Sequence, residues 1–353
     1  MERWPVLLSM VVSAALPAGA SQPAPANAKA SPAARRVLNY LTELNTRPHK
    51  RVLSGQFVGH CEAVDYGFAQ TVAKTHQAAG VWPAIIGADY GWWRGKTGGR
   101  DLRATNRPLI AYWNAGGLVT VSWHAQNPWS GGDAWDIAIG RYTDLVATGT
   151  EVNRAWMAAL DEVAAGLAEL RDAGVVVLWR PFHEMNGGWF WWTSRLAWPS
   201  PEEFAAVWRH MFHYFVENKG LNNLLWVYGA SSSGPPHFKT PDYYYPGDAF
   251  VDVVGIDFYG DTLKLDGYEK LAARGKPFGL TEFGPGNSSA EAGTFDYRRL
   301  IQDIRAKYPW VCFFQAWYGG GRRDWSLARH QHAGDLLRDP WVVTREELPP
   351  LAR

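Results

Sequence analysis

Cysteine is scarce in this chain of 353 residues, which carries only Cys61 and Cys312. Two thiols cannot form a disulfide framework, so a hydrophobic core must hold the fold together. Excess charge of one sign is also missing: 35 Lys and Arg stand against 34 Asp and Glu, for a net +1. That balance removes the electrostatic case for nucleic acid or an anionic membrane surface. No internal stretch approaches the ~20 apolar residues of a membrane span. A glycine-rich phosphate turn is missing too: the first candidate strand runs into SGQFVGHCEA, which does not match the turn that opens a dinucleotide-binding sheet.

Tryptophan, by contrast, is abundant, with twenty residues. Indole rings either fill a core or stack on the apolar faces of sugars. The stretch WRPFHEMNGGWFWW, Trp179 to Trp192, sets Arg180, His183 and Glu184 among four tryptophans. A core strand has no need of those polar groups, and a surface loop does not favour so many rings. A cleft for a polar ligand with apolar faces needs both.

The N-terminus reads as a secretory leader over residues 1–20. Arg3 supplies positive charge, Val6 to Leu16 an apolar stretch, and Ala18-Gly19-Ala20 a small-residue cleavage site. Residues 21–32 come next as an Ala/Pro-rich linker expected to be disordered. Residues 33–353 remain as one folded domain, expected outside the cytoplasm (extracellular or periplasmic).

Within that domain short β-branched and aromatic runs alternate with helical patterns. The strand candidates are 51–56, 84–89, 118–125, 175–184, 223–229, 252–259, 277–284 and 310–317. The clearest helical patterns are 153–174, 201–218 and 296–308. Eight such repeats with nearly continuous apolar strands predict an α/β fold, a closed (β/α)8 TIM barrel with a single catalytic domain. In that fold the chemistry lies at the C-terminal strand ends. Those ends carry Trp123 and His124, His183 and Glu184, Tyr259, Glu282 and Trp317.

Two of these residues suggest a reaction. Glu184 closes the fourth strand and Glu282 the seventh, nearly opposite each other across a barrel. Period-two alternation puts Arg180, Phe182 and Glu184 on one face, and Leu280 with Glu282 on another. Paired carboxyls ~5–5.5 Å apart hydrolyse glycosides with retention, and a wider gap gives inversion. Arg180 is placed to donate toward the nucleophile, favouring its charged form. Aromatic walls around the partner favour its protonated form.

The segments RPFHEMNGGWFWW and LTEFG, with SGQFVGH, IIGADY and SWHAQNP in matching order, resemble glycoside hydrolase family 26. The resemblance implies a retaining endo-β-1,4-mannanase acting on mannan, glucomannan or galactomannan, with no metal and no other cofactor. It implies Glu184 as acid/base and Glu282 as nucleophile. His183 and Trp189 would shape the subsite at the cleaved bond, Tyr259 would hydrogen-bond the nucleophile, and Trp317 would form the floor under the reacting sugar. His124 would line the same pocket, and Arg180 completes the binding set. The chain is expected to act as a monomer, without nucleic acid or membrane partners. The same machinery acting on β-1,3-xylan or mixed-linkage β-glucan, and a non-catalytic carbohydrate-binding barrel, are the alternatives. Loops 231–248 and 318–325 depart from the family pattern, which leaves substrate preference open.

Several other residues invite simpler readings. His183-Glu184 is not a zinc HExxH motif, because position 187 is Gly. His330 and His332 read as solvated, Trp208 as helix packing, and one of Trp191 and Trp192 as core. Cys61 and Cys312 fall at opposite levels of the barrel and are expected to stay free thiols.

Overall fold

Apolar runs of five to eight residues pair side by side in chain order. They are β1 (Gly55–His60), β2 (Ile85–Asp89), β3 (Leu118–Trp123), β4 (Val177–Pro181), β5 (Leu224–Ser231), β6 (Val253–Tyr259), β7 (Phe278–Gly284) and β8 (Val311–Ala316). Each is parallel to the next, and β8 pairs with both β7 and β1, so the sheet closes into the expected (β/α)8 barrel. The computed structural model describes residues 24–352, apart from 62, 92–100, 233–237 and 320–321. The leader expected over residues 1–20 lies outside the described residues.

Local chemistry sets the helix ends. In α1 (Pro32–Leu44) the Ser31 side chain accepts from the Ala34 backbone N–H. In α2 (Glu151–Asp172) Thr150 accepts from Asn153 N–H in the same way, and Trp156, Leu160, Val163, Leu167 and Leu170 form the buried face. A capping box of Ser200 and Glu203 starts α3 (Pro201–His213). The helical pattern expected over 201–218 does persist, but its last turn, Tyr214–Asn218, widens to π geometry. The third expected helix is α4 (Arg298–Lys307).

Two expectations about the N-terminal region change. The first barrel strand is Gly55–His60, not 51–56. Val52–Leu53 instead pairs with Val342–Val343 from the far end of the chain. The linker expected to continue to residue 32 is already packed against the barrel from Pro25 onward. The Ala26 N–H donates to Asp252 Oδ1 (2.7 Å), Asn27 Nδ2 to Leu221 O (3.1 Å), and Ser31 N–H to Asn222 O (2.7 Å). Small alanines fit closely there, and each polar group named finds a partner, so composition alone misjudged the segment.

The tryptophan surplus is largely core. Trp123, Trp156, Trp179, Trp191, Trp192, Trp208 and Trp226 are fully buried. Trp156 stacks on Trp123 at 5.7 Å and on Phe182 at 5.8 Å, filling the layer between barrel and helices. Truncating such a side chain costs roughly 3–5 kcal/mol. Trp123 therefore faces the helices, although it lies at a strand end. Trp191 and Trp192 are both buried, not one of the two. His330 is buried rather than solvated: it accepts from Phe295 N–H (3.3 Å) and donates to Asp324 O (2.7 Å), while His332 stays outside beside Asp335. Cys61 and Cys312 are buried thiols not joined in a disulfide, and burial pushes the Cys312 thiol up to about 12.

Candidate active site

β4 stops at Pro181, and residues 182–184 break the alternation expected from sequence. Phe182 and Glu184 both adopt left-handed backbone, with φ of 50° and 53°, a conformation that costs non-glycine residues roughly 1–3 kcal/mol each. The effect is to turn Phe182 outward among Trp156, Trp191, Phe204 and Trp208, away from the face it was expected to share with Arg180 and Glu184. His183 and Glu184 turn inward instead. The Glu184 N–H donates to Gly229 O on β5 (2.8 Å), which anchors the turn.

Arg180 lies inside the barrel, 1% exposed, and joins two acids. Its Nη1 donates to Asp257 Oδ2 at 2.7 Å, and its Nη2 donates to Glu282 Oε1. The two carboxylates outweigh the effect of burial and hold the guanidinium above its ordinary range, so it stays charged. The hydroxyl of Tyr259 donates to Glu282 Oε2 at 2.8 Å, so both oxygens of Glu282 accept a hydrogen bond. Register slips between Ile256 and Asp257 as β6 meets β7. Consecutive Thr281 and Glu282 consequently both reach this cluster, and Thr281 Oγ1 donates to Asp257. Strict alternation, which paired Glu282 with Leu280, does not allow that.

Glu184 meets this cluster from the other side. One carboxylate oxygen from each of Glu184, Asp257 and Glu282 lies within 4.8 Å of the others. The Glu184 partner is an indole: Trp189 Nε1 donates to its Oε2 at 2.8 Å. Burial pushes the Glu184 carboxyl well above its ordinary range, and the charges of Glu282 and Asp257 push it further; the Trp189 hydrogen bond opposes them. Asp257 rises to about 7, again chiefly through burial, with Arg180 pulling the other way.

A second buried chain lines the wall. Asp89, at the end of β2, accepts from Gly91 N–H (2.6 Å), His124 N–H (2.9 Å) and His124 Nδ1 (2.8 Å). His124 Nε2 and His183 Nε2 then lie 3.1 Å apart. Burial pushes Asp89 up, but His124 and His60 outweigh it and hold the carboxylate well below its ordinary range. Burial, then His124 and Arg180, push His183 well below its own, so that ring is neutral. Trp135 stacks on His124 at 4.9 Å, and Trp317 lies 4.5 Å from Phe57 and 6.4 Å from His124.

Two sets of side chains have the spacing to share a cation: His60, Asp89 and His124, and Glu184, Asp257 and Glu282. In the second, the Arg180 guanidinium already provides the positive charge. In the first, the oxygens of Asp89 are committed to the donors just named.

All eight residues expected at the site converge on this mouth. Asp257, Asp89, His60 and Trp135 were not foreseen. Asp257 had a signal: a lone acid inside the apolar run DVVGIDFY, two positions before Tyr259 and so on its face. Asp89 had the same signal at the end of AIIGAD.

A parallel barrel whose fourth and seventh strands present facing carboxyls, one beside a cation and one beside an indole, defines a glycoside hydrolase. The chain belongs to glycosyl hydrolase family 26, whose profile matches residues 26–347. It is 34% identical to a mannan endo-1,4-beta-mannosidase of Bacillus subtilis strain 168, over 97% of this chain and 94% of that one. It is 35% identical to mannan endo-1,4-beta-mannosidase A and B of Caldalkalibacillus mannanilyticus, over 97% of this chain and 66% of that protein. Among solved structures, the Bacillus subtilis mannanase BCman superposes with a TM-score of 0.83 at 32% identity, covering 92% of this chain and 96% of that one.

Proposed function

We propose that this chain is a secreted endo-β-1,4-mannanase that cleaves mannan-type polysaccharides with retention of anomeric configuration. The observation that carries the reading is the approach of Glu184 and Glu282 within 4.8 Å, in opposite surroundings. That gap suits a direct attack and leaves no room for an intervening water. Glu282 attacks the anomeric carbon while Glu184 gives its proton to the departing glycosidic oxygen. Glu184 then takes a proton from water, and the resulting hydroxide oxygen displaces Glu282 from the sugar. Arg180 and Tyr259 orient the nucleophile. Trp317 lies under the reacting sugar, and His124 and His183 supply hydrogen-bonding groups along its edge.

Likeness to mannan-cleaving relatives over nearly the whole chain supports mannan as substrate. The leader-like residues 1–20 support secretion, and no helix among the described residues is long and apolar enough to cross a membrane. We take the working unit to be a monomer, which light scattering of the purified chain tests. Reducing-sugar release from galactomannan, glucomannan, lichenan and β-1,3-xylan tests the substrate. Mannans should be cleaved fastest, and cleavage confined to lichenan or xylan would overturn the assignment. Proton NMR of the first product should show the β anomer; an initial α anomer would overturn retention.

A further inference from the structure

The indole that holds Glu184 is the start of a longer aromatic path. Trp189 lies 4.9 Å from Phe238, and Lys239 comes directly after. The Lys239 backbone is clamped to Asn186, two residues beyond Glu184. Its N–H donates to Asn186 O (3.0 Å), and Asn186 Nδ2 donates back to Lys239 O (3.1 Å). Asn186 is fully buried and also exchanges hydrogen bonds with Ser231, at 2.8 and 2.9 Å.

The Lys239 side chain is just as constrained. Its ammonium lies 5.1 Å from the Trp198 ring centre and 5.2 Å from that of Tyr243, which is 39% exposed. Trp198 in turn rests on Gly188, where a Cβ would come within 2.5 Å of the ring. Under Trp189, Gly187 is equally bare, since a Cβ there would approach to 2.0 Å. The diglycine after Asn186 thus carries two indoles, one holding the acid and one supporting the lysine.

Among the described residues no carboxylate or carbonyl accepts from Lys239 Nζ. Lys50, Lys219, Lys264, Lys270 and Lys307 all pair with acids, and the acid nearest in sequence, Asp242, is taken by Lys270. Rings fix the position of the ammonium without using its three N–H donors. A leaving group departs past the acid that protonates it, and Phe238 and Lys239 continue outward from Trp189, the ring that holds that acid.

We propose that Lys239 is the hydrogen-bond donor of a second leaving-side subsite, binding hydroxyls of the mannosyl unit two places beyond the cleaved bond. This rests on the reading of Glu184 as the acid. Lys239→Met keeps the apolar stem between the rings and removes the donors, and Lys239→Arg restores charge and donors. The readout is kcat/KM on mannopentaose divided by kcat/KM on 4-nitrophenyl β-mannobioside, whose leaving group ends before that subsite. The quotient should fall roughly tenfold in Lys239→Met, the effect of losing one charged hydrogen bond, and recover most of that loss in Lys239→Arg. Equal losses on both substrates, or no change in the quotient, would overturn the proposal. Failure of the mannanase reading itself would show separately, as a wild-type chain that does not cleave mannan.

Discussion

Glu282 and Glu184 approach within 4.8 Å, yet their surroundings have little in common. Glu282 is gripped at both oxygens, by the buried Arg180 cation and by Tyr259. Glu184 has one indole donor and two acids facing it. Identical chemical groups thereby meet different partners: burial and the facing acids push Glu184 well above its ordinary range, the preference that the proposed proton donor requires, while Glu282 is held in place by two donors.

The largest test of that contrast removes each group in turn. Glu282→Ala should lower turnover on every substrate by on the order of 10⁴-fold. Glu184→Ala should lower turnover on mannan comparably, yet leave a burst of nitrophenol from an activated aryl mannoside, because that leaving group needs no proton. Equal loss of the burst in both variants would break the division of roles.

Next in size is the cation. Arg180→Met strands Asp257 and Glu282 in the barrel, and urea unfolding should register a loss of about 3–5 kcal/mol. The pH dependence has a defined sign. Asp257 stands at about 7 in the folded chain against an ordinary 3.8. Its contribution to stability is therefore fully present below about pH 4 and is lost as pH rises through about 7. Removing Arg180 takes away an influence that lowers this value, so the loss should deepen toward alkaline pH. A variant as stable as the wild type at pH 8 would contradict the account.

Smaller effects sharpen the comparison. Tyr259→Phe should reduce kcat by about 10- to 100-fold while leaving the fold intact, as judged by its thermal midpoint. The basic limb of the kcat/KM profile reports the acid in the free enzyme. Trp189→Phe deletes a contact that lowers the Glu184 value, so the limb should move to higher pH. Asp257→Asn deletes a like charge that raises it, so the limb should move to lower pH. Shifts in the same direction would break the scheme.

Much of this was legible in the sequence. Eight apolar runs spaced by helical patterns led to the barrel, and the polar residues at their ends led to the mouth. The errors share one cause, which is reliance on strict local rules. Alternation along β4 fails at Phe182 because the left-handed backbone there resets the parity of the strand. Residues 24–31 resemble a disordered linker by composition, but Leu221, Asn222 and Asp252 supply acceptors that composition does not reveal. His330 looks solvated in the sequence because its partners, Phe295 and Asp324, are not apparent from spacing.

What the sequence determined by itself was the order and kind of the elements and the placing of Glu184 and Glu282 at strand ends on the same mouth. Apolar periodicity and helix caps act over a handful of neighbouring residues, so their outcome can be read locally. Only the tertiary structure decided which acid would meet the buried cation and which would be pushed toward its protonated form by burial and facing acids. Arg180 meets Asp257 and Glu282, which lie 77 and 102 positions further along the chain. Burial, like-charge repulsion and a shared cation act through space, and the closing of the barrel fixes those distances.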